Sequence, residues 1–254
     1  MIMHSNTAQE HASAPRVSTF SQGVFDSLPI VIGYLPVAFA FGLSAVKLGF
    51  SPAESLLFSI LIYAGASQFV ITALLSAGMS LWVSALTVMA MDVRHILYGP
   101  SLRSRLGTKI NGPKTAIWAF GLTDEVFAAA TTKLIRDQRS WSAEWMCGLA
   151  LSSWIAWVIG TGIGTLFANG PLEAYPAIEA SLSFMLPALF LSFLLAAFKR
   201  QHSLVFIASL TGALAGLIFY SIPVAILCGI GGGCLASLRK PSPSILTRNV
   251  TDEQ

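Results

Sequence analysis

Charge is what this chain has least of. Only 11% of its 254 residues are Asp, Glu, Lys or Arg, against about 25% in an ordinary soluble domain. Hydrophobic residues make up 54% and mean hydropathy is +0.70, a composition that in water would leave too few polar groups to cover the surface. A soluble globule is excluded. Lipid, which requires only a satisfied backbone and apolar side chains, suits it. The net charge of +3 comes from cations in short connecting segments and tails, so it reports orientation in a bilayer and implies no nucleic acid partner.

Cysteine is equally scarce. Cys147, Cys228 and Cys234 lie in apolar segments with no C-x-x-C pair, which argues against a disulfide framework or a zinc knuckle and leaves them as helix-packing residues. No P-loop, G-x-G-x-x-G, H-E-x-x-H or G-x-S-x-G occurs, so neither ATP-driven chemistry nor a recognisable hydrolase is supported, and no metal, cofactor or catalytic residue is expected. The start of the chain lacks the basic n-region, short apolar run and cleavage site of a secretory signal. Residues 1–20 read as a retained, disordered polar tail, 21–238 as one transmembrane domain, and 239–254 as a second polar tail.

What the chain has is apolar runs. A crossing of the hydrocarbon core needs about 20 predominantly apolar residues, and about eight stretches approach that length: Leu28–Val46, Ser55–Ala77, Leu81–Tyr98, Thr115–Thr132, Ala143–Ala168, Ser183–Phe198, Leu204–Phe219 and Ile222–Leu238. The fold is therefore expected to be all-α, a polytopic transmembrane helical bundle of about seven or eight hydrophobic segments, one or two of them broken or re-entrant. The suspects are the first, which contains Pro29, Gly33 and Pro36, and the fourth, which is short and holds Asp124 and Glu125 near its middle.

With a cytoplasmic N-terminus, eight spans place Lys133, Arg136, Arg139, Lys199, Arg200, Arg239, Lys240 and Arg248 inside, as the positive-inside rule asks. Arg103, Arg105, Lys109 and Lys114 disagree, which a re-entrant segment among the first four would explain. A cytoplasmic C-terminus is favoured. Leu35-Pro36-x-x-Phe39 also resembles Leu186-Pro187-x-x-Phe190, and at the same offset Ala64-Gly65 falls on Ala215-Gly216 and Gly78 on Gly229, the pattern of a candidate inverted repeat.

The third stretch carries Asp92, Arg94 and His95, and an ionisable group at the centre of a membrane helix costs about 2.5 to 3.5 kcal/mol on insertion scales. On a helix Asp92 and His95 share a face, while Arg94 lies about 200° around from Asp92. Asp92 and His95 read either as a hydrogen-bonded packing pair or as a site for substrate ammonium or protons. Arg94 reads as an interfacial anchor or as the partner of a carboxylate on another helix. Adjacent Asp124 and Glu125 point about 100° apart, so one lines a cavity while the other pairs with a cation, or both stand in water. Asp26 is expected to cap the first span.

Tyr63-Ala64-Gly65-Ala66-Ser67-Gln68 sets small residues beside a polar pair, a pattern that permits close packing or unwinding. Gln68, with an amide that wants several partners, favours a polar-facing stretch. Glycine pairs Gly160 with Gly164, Gly212 with Gly216 and Gly229 with Gly233 read as helix-packing contacts.

The blocks SLPIVIGYLPVAFAFG, YAGASQFVITALL, MAMDVRHILYGPSLR, WAFGLTDEVFA and YPAIEASLSFMLPALF closely resemble the AzlC family, from about Phe20 to Leu238. The resemblance implies a bacterial inner-membrane secondary transporter that exports L-valine, with leucine, isoleucine and methionine as related substrates. It further implies proton antiport and a small membrane partner of the AzlD/YgaH type. Gly65, Ser67, Gln68, Asp92, Arg94, His95, Asp124 and Glu125 match the family blocks and are the candidate substrate-binding or coupling residues. An amino acid offers a carboxylate, which Arg94 or a broken helix N-terminus suits, an ammonium, which Asp92 or Asp124 suits, and an apolar branch for Ile, Val and Phe side chains. A passive channel, or an accessory subunit whose partner holds the path, are the competing readings.

Overall fold

The computed structural model describes residues 17–106, 113–136, 141–168 and 203–238, with isolated positions between 170 and 195. Its helices are α1 (Phe20–Asp26), α2 (Leu28–Lys47), α3 (Pro52–Leu61), α4 (Gly65–Ser76), α5 (Leu81–Leu106), α6 (Pro113–Phe120), α7 (Asp124–Arg136), α8 (Ala143–Phe167), α9 (Ser203–Phe219) and α10 (Ile222–Leu238). Among the described residues there is no strand, and the all-α membrane fold expected from the composition is what forms. Two compact units result, Met1–Gln68 with Arg94–Ser183 and Phe69–Val93 with Phe184–Gln254.

The first unit is organised around α8, against which α1, α2, α3, α6 and α7 pack. Small residues make the closest approaches. Gly42 of α2 sits on the Thr161 carbonyl, Gly164 of α8 on the Phe39 carbonyl, and a methyl at Gly160 would come within 2.8 Å of the Ala38 Cβ. Backbones meet this closely because lipid supplies no hydrophobic drive between helices and van der Waals contact must hold them. Gly148 on the Phe20 carbonyl docks α1 in the same way, so helical structure begins within the polar lead-in.

On α7, Val126, Ala130 and Leu134 recur at the i, i+4 spacing of one helix face and are buried with Leu102, Trp118, Trp145 and Leu149. Outward positions stay apolar, among them Ile32, Leu57, Ile117 and Ile159. Lipid-facing side chains behave this way. Before α3, Ser51 and Glu54 form a reciprocal capping box, and the two bonds from Ser51 hold the Glu54 carboxyl below its ordinary range.

In the second unit α9 and α10 form a hairpin sealed by the predicted glycines. A methyl at Gly212 would meet the Cys228 carbonyl at 2.6 Å, one at Gly216 the Ala225 Cα at 2.7 Å, and one at Gly229 the Ala213 Cβ at 3.1 Å.

Several expectations are corrected. The first apolar stretch is one uninterrupted 20-residue helix with Pro36 inside it; α8 packs along it, with Gly160 against Leu35 and Ala38, and supports the turn that lacks a proline N–H. Asp26 does not cap that helix. Ser27 occupies the cap position, and Asp26 accepts from Trp145 Nε1 at 2.7 Å and Lys133 Nζ at 3.2 Å. The third stretch continues through Pro100 to Leu106, so Arg103 and Arg105 lie in a helix's last turn, where the dipole favours cations. Of the cysteines only Cys147 is buried; Cys228 and Cys234 are exposed.

The proposed repeat does not align structurally where it is described. Gly65 opens a helix after a break whereas Gly216 lies inside continuous α9, and Gly78 is at a turn with φ 75° while Gly229 is mid-helix. Leu186, Pro187 and Phe190, most of the sixth stretch, Lys109, residues 1–16 of the first tail and all of the second lie outside the described residues.

Candidate functional site

The interruptions fall in the second and fourth apolar stretches. Helix α3 ends at Leu61 and α4 begins at Gly65, and Tyr63 between them has φ 42°, in the left-handed region. A bulky residue rarely adopts that conformation without surrounding support. Here support comes from α8: Trp154 Nε1 donates to the Ile60 carbonyl at 3.3 Å, one of the groups the break leaves without an intrahelical partner. Ser59 Oγ and Thr161 Oγ1 lie 2.7 Å apart. Trp157 Nε1 donates to Gln68 Oε1 at 2.8 Å, and Gln68 Nε2 to Ser59 Oγ at 3.4 Å. The absence of a side chain at Gly65 lets the Trp157 ring in, since a methyl there would stand 2.7 Å from Cη2.

The second break separates α6, ending at Phe120, from α7, starting at Asp124. Thr123 occupies the cap position: its Oγ1 accepts from Val126 N at 3.3 Å and its carbonyl from Phe127 N at 2.9 Å. Asp124 and Glu125 are consequently the first two residues of a helix, where its dipole favours negative charge by about 0.3 to 1 kcal/mol each. They were expected mid-helix; the break relocates them to a terminus.

Both breaks meet at Tyr34, a buried residue of α2. Its hydroxyl lies 2.6 Å from Thr123 Oγ1 and 2.6 Å from Glu125 Oε2. Its ring stands edge-on to Tyr63 at 6.4 Å and to Trp157 at 5.1 Å. Tyr63 stacks on Phe120 at 6.3 Å. The Tyr63 hydroxyl is buried and has no hydrogen-bond partner among the described residues.

Asp124 turns to α5. Arg94 Nη2 is 2.8 Å from its Oδ2, with side-chain exposures of 45% and 36%, and the Tyr98 hydroxyl donates to its Oδ1. Tyr98 stacks on Phe127 at 4.4 Å and meets the His95 ring edge-on at 5.1 Å. Arg94 and Tyr98, one turn apart, thus hold one carboxylate between them.

Of the eight residues singled out from sequence, Arg94, His95, Asp124, Glu125, Gly65 and Gln68 are drawn into this Tyr34-centred region of the first unit, and Ser67 is buried in the first turn of α4. Asp92 is half-buried in the part of α5 that belongs to the second unit. Sequence reasoning missed Tyr34, Thr123 and Trp157, and gave no role in a site to Tyr63 or Tyr98. Thr123-Asp124-Glu125 was the available signal, a helix-start signature. Among the described residues no three His, Cys, Asp or Glu side chains gather closely enough to hold a metal ion.

A helical membrane protein with two interrupted helices meeting at a polar, aromatic-walled centre is the class that fold and site define. The AzlC protein family model matches residues 29–170. The chain is 66% identical to the inner membrane protein YgaZ of Escherichia coli K12, over 89% of this chain and 92% of that one. It is 37% identical to an uncharacterized membrane protein of Archaeoglobus fulgidus, over 89% and 97%. With the branched-chain amino acid transport protein AzlC of Bacillus subtilis 168 it shares 27% identity over 94% and 97%. The chain belongs to the AzlC family. No solved structure matches it.

Proposed function

We propose that the chain exports branched-chain amino acids, L-valine foremost and leucine, isoleucine and methionine beside it, across the bacterial inner membrane. It works as a multi-pass secondary transporter that exchanges substrate for protons, with its C-terminus cytoplasmic and a small AzlD/YgaH-type subunit as partner. The observation that carries this reading is the meeting of two helix breaks at Tyr34, with Arg94 and Asp124 beside it. Interrupted membrane helices turn backbone and side-chain polarity towards a small solute at mid-membrane. The printed name of the Bacillus subtilis relative supports the substrate class.

Arg94 and Asp124 form an ion pair of the same two charges that an amino acid carries. A zwitterion entering the site gives its carboxylate to Arg94 and its ammonium to Asp124, so each charge exchanges one partner for another. The aromatic walls take the aliphatic branch. One methylene contributes about 1 to 3 kcal/mol of discrimination, so several apolar amino acids compete.

The test is L-valine efflux from proteoliposomes holding the chain alone, the chain with its small subunit, and the Asp92→Asn and Arg94→Gln variants. Saturable efflux that slows when the proton gradient collapses and disappears in Arg94→Gln is expected. Non-saturating, gradient-indifferent efflux would mean a passive path. Full efflux by both variants would move the path to the partner.

A further inference from the structure

We infer that Glu125, held by the Tyr34 hydroxyl, is a proton-binding site separate from the charges that take the substrate. This rests on the transport reading above and deepens it. Two neighbouring carboxyls at one helix terminus are treated differently: Asp124 is held by the Arg94 guanidinium and the Tyr98 hydroxyl, while Glu125 accepts from the Tyr34 hydroxyl and forms no ion pair among the described residues. Asp124 cannot take a proton without giving up an ion pair. Glu125 can.

Hydrogen-bond accounting supports two settings of the same atoms. Tyr34 has one hydroxyl proton and two oxygens at 2.6 Å, Thr123 Oγ1 and Glu125 Oε2, and Thr123 Oγ1 already accepts from the Val126 amide. With Glu125 ionised, the Thr123 hydroxyl donates to Tyr34 and Tyr34 donates to the carboxylate. With Glu125 protonated, the carboxyl donates to Tyr34 and Tyr34 donates to Thr123. Tyr34 reverses its single proton and no oxygen of the three loses its Tyr34 contact. One proton is bound or released at the carboxyl, and each hydroxyl keeps its own.

The titratable and charged groups around Glu125 among the described residues are Tyr34 from α2, Tyr63 from the first break, Tyr98 from α5, and Asp124 beside it with its partner Arg94. Aromatic rings cover the cluster, Trp157 and Tyr63 against Tyr34 and Phe120 against Tyr63. Tyr34 is a positioning residue here, since it sets the direction of the bond to the carboxyl.

The experiment uses the full chain reconstituted with its small subunit and labelled L-valine, read two ways: valine-for-valine exchange at equal pH, and valine movement driven by an imposed pH gradient. Glu125→Gln is expected to keep exchange and lose the gradient response. Tyr34→Phe keeps the ring and removes the hydroxyl; it is expected to shift the pH profile of the driven reaction, and it decides the matter if Glu125→Gln does not fold. A gradient response kept by Glu125→Gln overturns the inference, as does an unshifted profile in Tyr34→Phe. Loss of exchange together with the gradient response, in a Glu125→Gln protein that melts like wild type, also overturns it and assigns Glu125 to substrate. A wild-type protein that exchanges valine with no gradient response removes proton antiport itself.

Discussion

Tyr34 and Glu125 lie 91 positions apart in sequence and 2.6 Å apart across a partly buried hydrogen bond. Tyr34 and Tyr63 are both buried tyrosines at this centre, yet one hydroxyl is bonded and the other is not. Tyr34→Phe strands Thr123 and Glu125 and is expected to cost about 1 to 3 kcal/mol of stability. Tyr63→Phe removes a polar atom with no partner and is expected to be neutral or stabilising. Thermal melts of the two variants in the same detergent check the contrast; equal losses would contradict it.

Gly65 is the gap into which Trp157 fits. Gly65→Ala puts a methyl 2.7 Å from the ring, and overpacking of this kind costs about 1 to 3 kcal/mol. Trp157→Phe frees the space but also removes the indole donor to Gln68. A double-mutant cycle on melting should therefore show that Gly65→Ala is nearly harmless once Trp157 is Phe. Additive losses would mean the ring is not what the methyl meets.

Glycines on α2 and α8 divide by surroundings. A methyl at Gly164 runs into the Phe39 carbonyl, while one at Gly33 meets nothing within 4 Å. Gly33→Ala is expected to stabilise its helix by up to about 1 kcal/mol. Gly164→Ala should separate α2 from α8 and lower both folded yield and melting temperature. The order of the two melting temperatures is the check.

Much of this was legible beforehand because membrane helices announce themselves by length and hydropathy, and seven of the eight apolar stretches correspond to described helices. The packing glycines were legible from their i,i+4 spacing. The breaks were harder. Proline drew attention to the first stretch, yet the helix runs on through Pro36. Gly121 and Thr123 end and start helices without any proline, and the carboxylates then sit where the helix dipole supports them. The centre itself was hidden because Tyr34, Tyr63 and Trp157 count as hydrophobic in the composition, although the Tyr34 hydroxyl and the Trp157 indole N–H make bonds that only tertiary contact explains. Arg94 meeting a carboxylate of another helix was one of two readings that the sequence left open; which carboxylate depended on the second break.

The most direct test of the Arg94 and Asp124 site is L-valine binding to the purified protein, read as a ligand-dependent rise in melting temperature. A bound ligand stabilises by RT ln(1 + [L]/Kd), about 2.7 kcal/mol at a hundredfold excess over Kd. The ion pair is partly exposed, with 45% and 36% of the two side chains accessible, and such pairs contribute about 0 to 1 kcal/mol to stability, so Asp124→Asn and Arg94→Gln should fold. The wild type is expected to show a saturable rise with L-valine that leucine competes for, and both variants to show none. A rise of undiminished size in both variants would contradict the assignment of the substrate to this pair.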